Sequence, residues 1–262
     1  MTEEDASIPP CTPWIRRYAV DAASACTAAL LVSPLITIVD RAIIENASGV
    51  RPLRQGLKSL SLDFLQHPMS FLKRREFMLI FGLYAATYTA ANSIDTTCTI
   101  IEKEPTAAKF LGTTAVNMTL CVAKDRAFTR MFGAISPSSV PLPTYALFAL
   151  RDSLTVAASF TFPPIVSKQL QHEMNCSVQK ADVSAQLLCP AAVQFISTPL
   201  HLLGLDLYNH KEKKIGERVS FLTREYWKSA LARIARIGPA FGIGGISNKY
   251  FRDTWNGLLF EQ

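Results

Sequence analysis

Charge is scarce in this chain. Asp, Glu, Lys and Arg make up 18% of its 262 residues, whereas soluble domains average about 25%. A metal-binding or disulfide framework is missing as well. Cys11, Cys26, Cys98, Cys121, Cys176 and Cys189 are scattered with no C-x-x-C pair, and His67, His172, His201 and His210 are equally dispersed. Neither a zinc site nor a disulfide scaffold is signalled, so no metal and no cofactor is expected. The glycines between Gly238 and Gly245 follow no strand and match neither G-x-G-x-x-G nor a Walker A loop; they read as helix-packing glycines. No catalytic arrangement stands out, and no basic and aromatic residues interleave as a nucleic-acid surface requires. The sequence therefore speaks against an enzyme and against nucleic-acid binding. The amino terminus starts M-T-E-E-D and carries three prolines within residues 8–13. It has neither the basic start and apolar run of a secretory signal nor the Arg-rich helix of a mitochondrial presequence. No cleavable targeting segment is expected there.

What the chain has in abundance is apolar sequence. Apolar residues account for 49%, with 15 Phe and 15 Pro, and the mean hydropathy is +0.18. That excludes a disordered tail or a heavily solvated domain. Six segments are apolar almost all the way round: Tyr18 to Ile44, Phe77 to Ile94, Ala107 to Ala123, Tyr145 to Val166, Val183 to Leu205 and Ala230 to Ile246. Each approaches the roughly 20 residues that cross a hydrocarbon core. All are rich in the small residues that let membrane helices approach. A soluble helical protein is the competing reading. Against it, the basic residues gather between segments: Arg51-Arg54-Lys58, Lys73-Arg74-Arg75, Lys124-Arg126-Arg130 and Lys211-Lys213-Lys214-Arg218. All four clusters follow an odd-numbered segment, which places them on one side of a six-span bundle. They would fix topology or meet anionic headgroups, while Trp14, Tyr226 and Trp227 read as interface anchors.

The odd segments repeat. S-P-L-I-T-I-V-D-R (33–41), M-T-L-C-V-A-K-D-R (118–126) and T-P-L-H-L-L-G-L-D (198–206) align with Pro34, Thr119 and Pro199 at one position, each followed by leucine. The intervals are 85 and 80 residues. In the even segments Gly82, Arg151 and Arg236 sit at equivalent depth. Three tandem two-helix hairpins are the simplest account.

On these residues the chain resembles the mitochondrial carrier family, as a divergent member. The stretch Arg233 to Arg252 (RIARIGPAFGIGGISNKYFR) is the part most similar to that family's sixth helix. The resemblance implies an all-α membrane protein of six transmembrane helices, arranged as three two-helix repeats around a central cavity. Its divisions would be a tail (1–14) and repeats at 15–104, 105–176 and 177–262. It further implies residence in the mitochondrial inner membrane, with the outer membrane as alternative. Partners would be a small-molecule solute and a lipid bilayer containing cardiolipin, with no nucleic acid, and the chain would act as a monomer.

The signature itself is degenerate. Where the family pairs charges at the ends of its odd helices, the acid position reads Ile36, Cys121 and His201, and the first base position reads Val39, Lys124 and Gly204. Arg41 and Arg126 keep the last base, but Asp206 replaces the third. A full ring of salt bridges cannot form there. The opposite gate looks equally thin, with Arg252 alone supplying the expected base. Pro34, Arg41, Thr119, Lys124, Arg126, Pro199 and His201 are the gate candidates. Carried over from the family, substrate contacts fall on Gly82, Leu83, Arg151, Asp152 and Arg236. An intramembrane arginine costs about 2.5–3.5 kcal/mol on insertion scales unless paired or wetted, and guanidiniums grip carboxylates bidentately. Asp152 would take an ammonium group or neutralise Arg151. Adjacent helical residues do not face each other, so Arg151 and Asp152 are expected to need separate partners. The expected function is alternating-access transport of a carboxylate or amino-acid-like metabolite. The alternative is a carrier-derived membrane protein that no longer transports and serves a structural or insertase-like role.

Overall fold

The computed structural model describes residues 13–133, 141–158, 162–174 and 177–260. Their regular structure is wholly helical. The elements are α1 (Pro13–Ala47), α2 (Leu53–Gln66), α3 (Pro68–Leu72), α4 (Arg75–Ile100), α5 (Thr106–Phe132), α6 (Leu142–Val156), α7 (Phe162–Met174), α8 (Val178–Asn209), α9 (Ile215–Ile237), a π-helical segment (Gly238–Gly245) and α10 (Ile246–Phe260). Prolines punctuate the chain where a helix begins and its first N–H groups have no partner anyway. Pro52 precedes α2, Pro68 opens α3, and Pro105 and Pro141 precede α5 and α6. Gly49, with φ of 74°, turns the chain out of α1 in a conformation that a side chain disfavours.

Among the described residues three helices are long and apolar enough to cross a membrane: Trp14–Ala47, Arg75–Ile100 and Lys180–Asn209. The other three expected spans depart from that simple form. α5 carries Lys109, Lys124, Asp125, Arg126 and Arg130. α6 is 15 residues long, and residues 159–161 of the expected span lie outside the described residues. The last span is α9 running into the π-helical segment, with Arg233 and Arg236 just before it.

The distribution of polarity along α1 is inverted relative to a soluble helix. Asp21, Ser24, Ser33, Thr37 and Asp40 are buried among Ala25, Ala28, Ala29 and Val32, while Leu30, Leu31 and Leu35 are exposed. A membrane helix behaves this way, since lipid accepts leucine and the bundle interior must satisfy polar groups. Prolines inside helices follow the same logic. Pro199 has no N–H for the Phe195 carbonyl one turn earlier, and the Tyr226 hydroxyl of α9 donates to that oxygen at 2.9 Å. Tyr226 thus braces a helix, while Trp227 is exposed.

Contacts run from α1 to α4, α4 to α5, α5 to α6, α6 to α8, α8 to α9, and from α9, the π segment and α10 back to α1. The ring closes within one chain. α7 packs on α8, and α2 packs on α1 through Leu53, Gly56 and Leu60. Gly204 lets α6 come close to α8, because a Cβ there would lie 2.7 Å from the Phe148 ring. Hydrogen bonds fix the directions. Arg41 Nη1 to Glu76 Oε1 (2.6 Å) and Asn46 Nδ2 to Glu225 Oε2 (2.7 Å) tie the end of α1 to α4 and α9, and Asn209 Nδ2 to Ser48 Oγ (3.1 Å) ties the end of α8 to the turn after α1. At the opposite end Arg252 of α10 reaches the beginning of α1 and the end of α4.

One basic cluster does not lie where its sequence position implied. Lys124, Arg126 and Arg130 are inside α5, and Lys124 is buried. Buried carboxylates in the bundle hold it there, which a reading of apolar runs could not anticipate.

Candidate functional site

In the bundle interior, five helices bring charged side chains to one place. α1 supplies Asp40, α5 Lys124 and Asp125, α6 Arg151 and Asp152, α8 His201, and α9 Arg233 and Arg236. Asp40 joins two helices at once, taking Lys124 Nζ at 2.8 Å on one oxygen and Arg236 Nη1 at 2.6 Å on the other. Lys124 also lies 2.6 Å from Asp125 Oδ1. Arg151 Nη2 donates to Asp125 Oδ2 and sits 2.5 Å from Asp152 Oδ1, with Nε to the same oxygen at 3.0 Å. Its Nη1 lies 2.8 Å from His201 Nδ1. A guanidinium only donates, so that histidine nitrogen accepts and the ring is neutral, with its proton on Nε2.

Two features of this cluster are unbalanced. Four cations (Lys124, Arg151, Arg233, Arg236) face three carboxylates (Asp40, Asp125, Asp152), and among the described residues no carboxylate pairs with Arg233. Arg233 is 3% exposed; its Nε donates to Gln194 Oε1 at 3.0 Å and its Nη2 to Ser197 Oγ at 3.3 Å. Asp152, 8% exposed, leaves its Oδ2 without a hydrogen-bond partner. Buried polar atoms of that kind are few in folded proteins and mark places where something else completes the bonding.

At the α10 end of the bundle a second network is balanced. Arg252 meets Asp21 Oδ1 at 2.6 Å, Asp95 Oδ2 at 3.2 Å, Thr96 Oγ1 at 3.0 Å and the Asn92 carbonyl at 3.1 Å. Lys109 adds a contact to Asp95 at 2.6 Å. The Asn92 and Asn248 side-chain amides donate to each other's oxygens, both at 2.9 Å. At this end Arg252 finds Asp95 and also Asp21, which lies 231 positions away, and nothing in local spacing links Asp21 to Arg252.

The expected site residues separate on the structure. Arg151, Asp152, Arg236, Lys124 and His201 come together in the cluster. Leu83 is buried, but Gly82 is on the outer face with Met78, open space surrounding the position a Cβ would take. Tyr84, two residues on, lies within electrostatic reach of Arg236, Asp40, Lys124 and Cys121. Pro34 is buried in α1 and Pro199 half-buried in α8, whereas Thr119 and Arg126 are exposed on α5. Arg41 pairs with Glu45 at 2.7 Å and Glu76 at 2.6 Å. Asp206, standing where a base was expected, is fully buried and holds Lys213 at 3.0 Å and Arg218 at 2.6 Å. Arg151 does not need a partner separate from Asp152, because its long side chain curls back onto its neighbour's carboxylate; helical spacing constrains Cβ positions more than guanidinium ones. Cys121 is partly buried beside Asn117 and Cys189 is buried; Cys11 and Cys176 lie outside the described residues. A surface cleft of about 510 Å³ along α2, lined by Gln55, Lys58, Ser59, Leu62, Asp63, Gln66 and His67, shares no residue with the cluster.

The expected site residues leave out Asp40, Asp125 and Arg233 of the cluster and Asp21 of the second network. Arg233 had a signal, since R-x-x-R at 233–236 puts both guanidiniums on one helical face. Among the described residues no group of His, Cys, Asp and Glu is arranged to hold a metal.

The family model described as a probable citrulline exporter matches residues 24–256. This corrects the assignment to the mitochondrial carrier family. The short proline and charge spacings that carried the resemblance are the ones already degenerate at Ile36, Val39, Cys121 and Gly204, so they discriminated poorly between families of helical membrane transporters. The match makes the chain a transport protein of the membrane rather than an enzyme and names no particular membrane. Among curated proteins none matches.

Proposed function

The chain belongs to the probable citrulline exporter family, and from that premise we propose that it moves a small zwitterionic amino acid, citrulline, through the buried charge cluster. The observation that carries this reading is the cluster's imbalance: one cation in excess and one buried carboxylate oxygen unused. Charges inside a membrane are costly, and when kept they mark a solute path. Asp152 Oδ2 would receive the ammonium group. Arg151 holds Asp152 and Asp125 in place, Arg236 holds Asp40, and Leu83 lines the α4 wall.

The proposed architecture is six spans in three two-helix repeats, residues 15–104, 105–176 and 177–262 after a tail at 1–14. The closed order of helix contacts supports it. Solute would enter when one end of the ring parts and leave when the other does. Parting the α10 end breaks Arg252 from Asp21 and Asp95; parting the other separates Arg41 from Glu76 and Asn46 from Glu225. A ring closed by one chain supports action as a monomer.

The test is uptake of labelled citrulline by proteoliposomes. Arg151→Ala and Arg236→Ala should each abolish it, and full activity in both variants would remove these residues from the path. A second reading, a membrane protein with a structural role, is favoured by the carboxylate pairing of Arg151 and Arg236. Absence of uptake by well-folded wild-type protein would decide for it.

A further inference from the structure

Arg233 is the group the cluster leaves unexplained. A cation buried in a bundle interior normally finds a carboxylate. Each of the other three does: Lys124 with Asp40, Arg151 with Asp125 and Asp152, Arg236 with Asp40. Arg233 instead meets two neutral acceptors of α8, and those acceptors are themselves held in place. Gln194 Nε2 donates to the Pro190 carbonyl at 2.9 Å, which turns Oε1 towards Arg233. Ser197 Oγ lies 3.3 Å from the same Oε1. The guanidinium is thus oriented by neutral groups, with its charge left over; on α8, Ser197 stands one helical turn before His201, whose Nδ1 is occupied by Arg151. Arg233 also lies within electrostatic reach of Arg151, Arg236, Asp40 and Asp125, so it belongs to the same interior as the other charges.

We propose that Arg233, positioned by Gln194 and Ser197, is the receptor for the carboxylate of the transported solute. This rests on the solute-path reading above and adds the group that selects an acid over its neutral derivatives. In the empty protein the uncompensated charge is a standing cost; a bound carboxylate removes it with charge-assisted hydrogen bonds. The same logic separates Arg233 from Arg151 and Arg236, whose charges are already answered by the protein and which therefore orient rather than recognise.

Binding of L-citrulline and of L-citrulline amide to detergent-purified protein tests this, read by calorimetry for wild type, Arg233→Gln and Arg233→Lys. Wild type should prefer the acid to the amide by about 30-fold or more, the expected worth of a buried charge-assisted pair. Arg233→Gln should bind both at the level at which wild type binds the amide. It should fold at least as well as wild type, because a buried charge has been removed without stranding a charged partner. Arg233→Lys keeps the charge without the fork and should keep the preference with weaker binding. An unchanged acid preference in Arg233→Gln overturns the proposal and leaves transport standing. Wild-type protein that is folded but binds neither compound overturns the transport reading itself. A variant Arg233→Gln that fails to fold, with Arg233→Lys showing no acid preference, also overturns the carboxylate role, since a structural arginine behaves that way.

Discussion

Two charge networks lie in this bundle, built from the same residue types, and they differ in completeness. Around Arg252 every charge has an answer: Asp21, Asp95, Lys109 and Arg252 are two acids and two bases, with Thr96 and the Asn92–Asn248 amide pair taking up remaining donors and acceptors. In the other cluster four bases meet three acids, Asp152 Oδ2 has no partner, and Arg233 has no carboxylate among the described residues. The balanced network needs nothing from outside, which suits an element that locks one end of a ring of helices. On the proposed reading the solute completes the unbalanced one. Saturation, more than burial or charge count, separates a lock from a site.

Breaking the balanced network should have the largest effect. Arg252→Gln strands Asp21, which is fully buried, and loss of one partner of a buried pair costs about 3–5 kcal/mol. The melting temperature in detergent should fall by several degrees with citrulline affinity kept. Asn248→Ala should cost less, about 1–3 kcal/mol, since it leaves the Asn92 amide half satisfied; the same melting measurement reads it. Gly82→Ala sharpens the comparison from outside. Its Cβ would point into open space, so stability should change by no more than about 0.5 kcal/mol and citrulline uptake should be unaltered. A strong loss of uptake in Gly82→Ala would mean that the outer face of α4 belongs to the solute path.

The long apolar helices were legible because composition alone reveals them: α1, α4 and α8 coincide with Tyr18 to Ile44, Phe77 to Ile94 and Val183 to Leu205. Arg151, Asp152 and Arg236 were also visible, as charges inside otherwise apolar runs. The pairings were not. Lys124 with Asp40 and Arg252 with Asp21 join residues 84 and 231 positions apart, and only the closed ring brings them together. Counting charges between apolar runs assigns Lys124 to a loop cluster, because it cannot tell a buried lysine from a solvated one. Arg233 escapes a sequence reading for a related reason. Its importance lies in what it lacks, and an absent partner is visible only when the positions of all the others are known.

The most direct test compares Arg233→Gln with Arg252→Gln in one experiment, melting each protein empty and saturated with L-citrulline. A ligand at a hundredfold excess over its Kd adds about 2.7 kcal/mol to the folded state, enough to read as a shift. The account predicts that Arg252→Gln melts lower than wild type when empty and keeps the citrulline shift, while Arg233→Gln melts no lower when empty and loses it. Equal losses of empty-state stability in the two variants, with the citrulline shift kept in both, would contradict the distinction between lock and site.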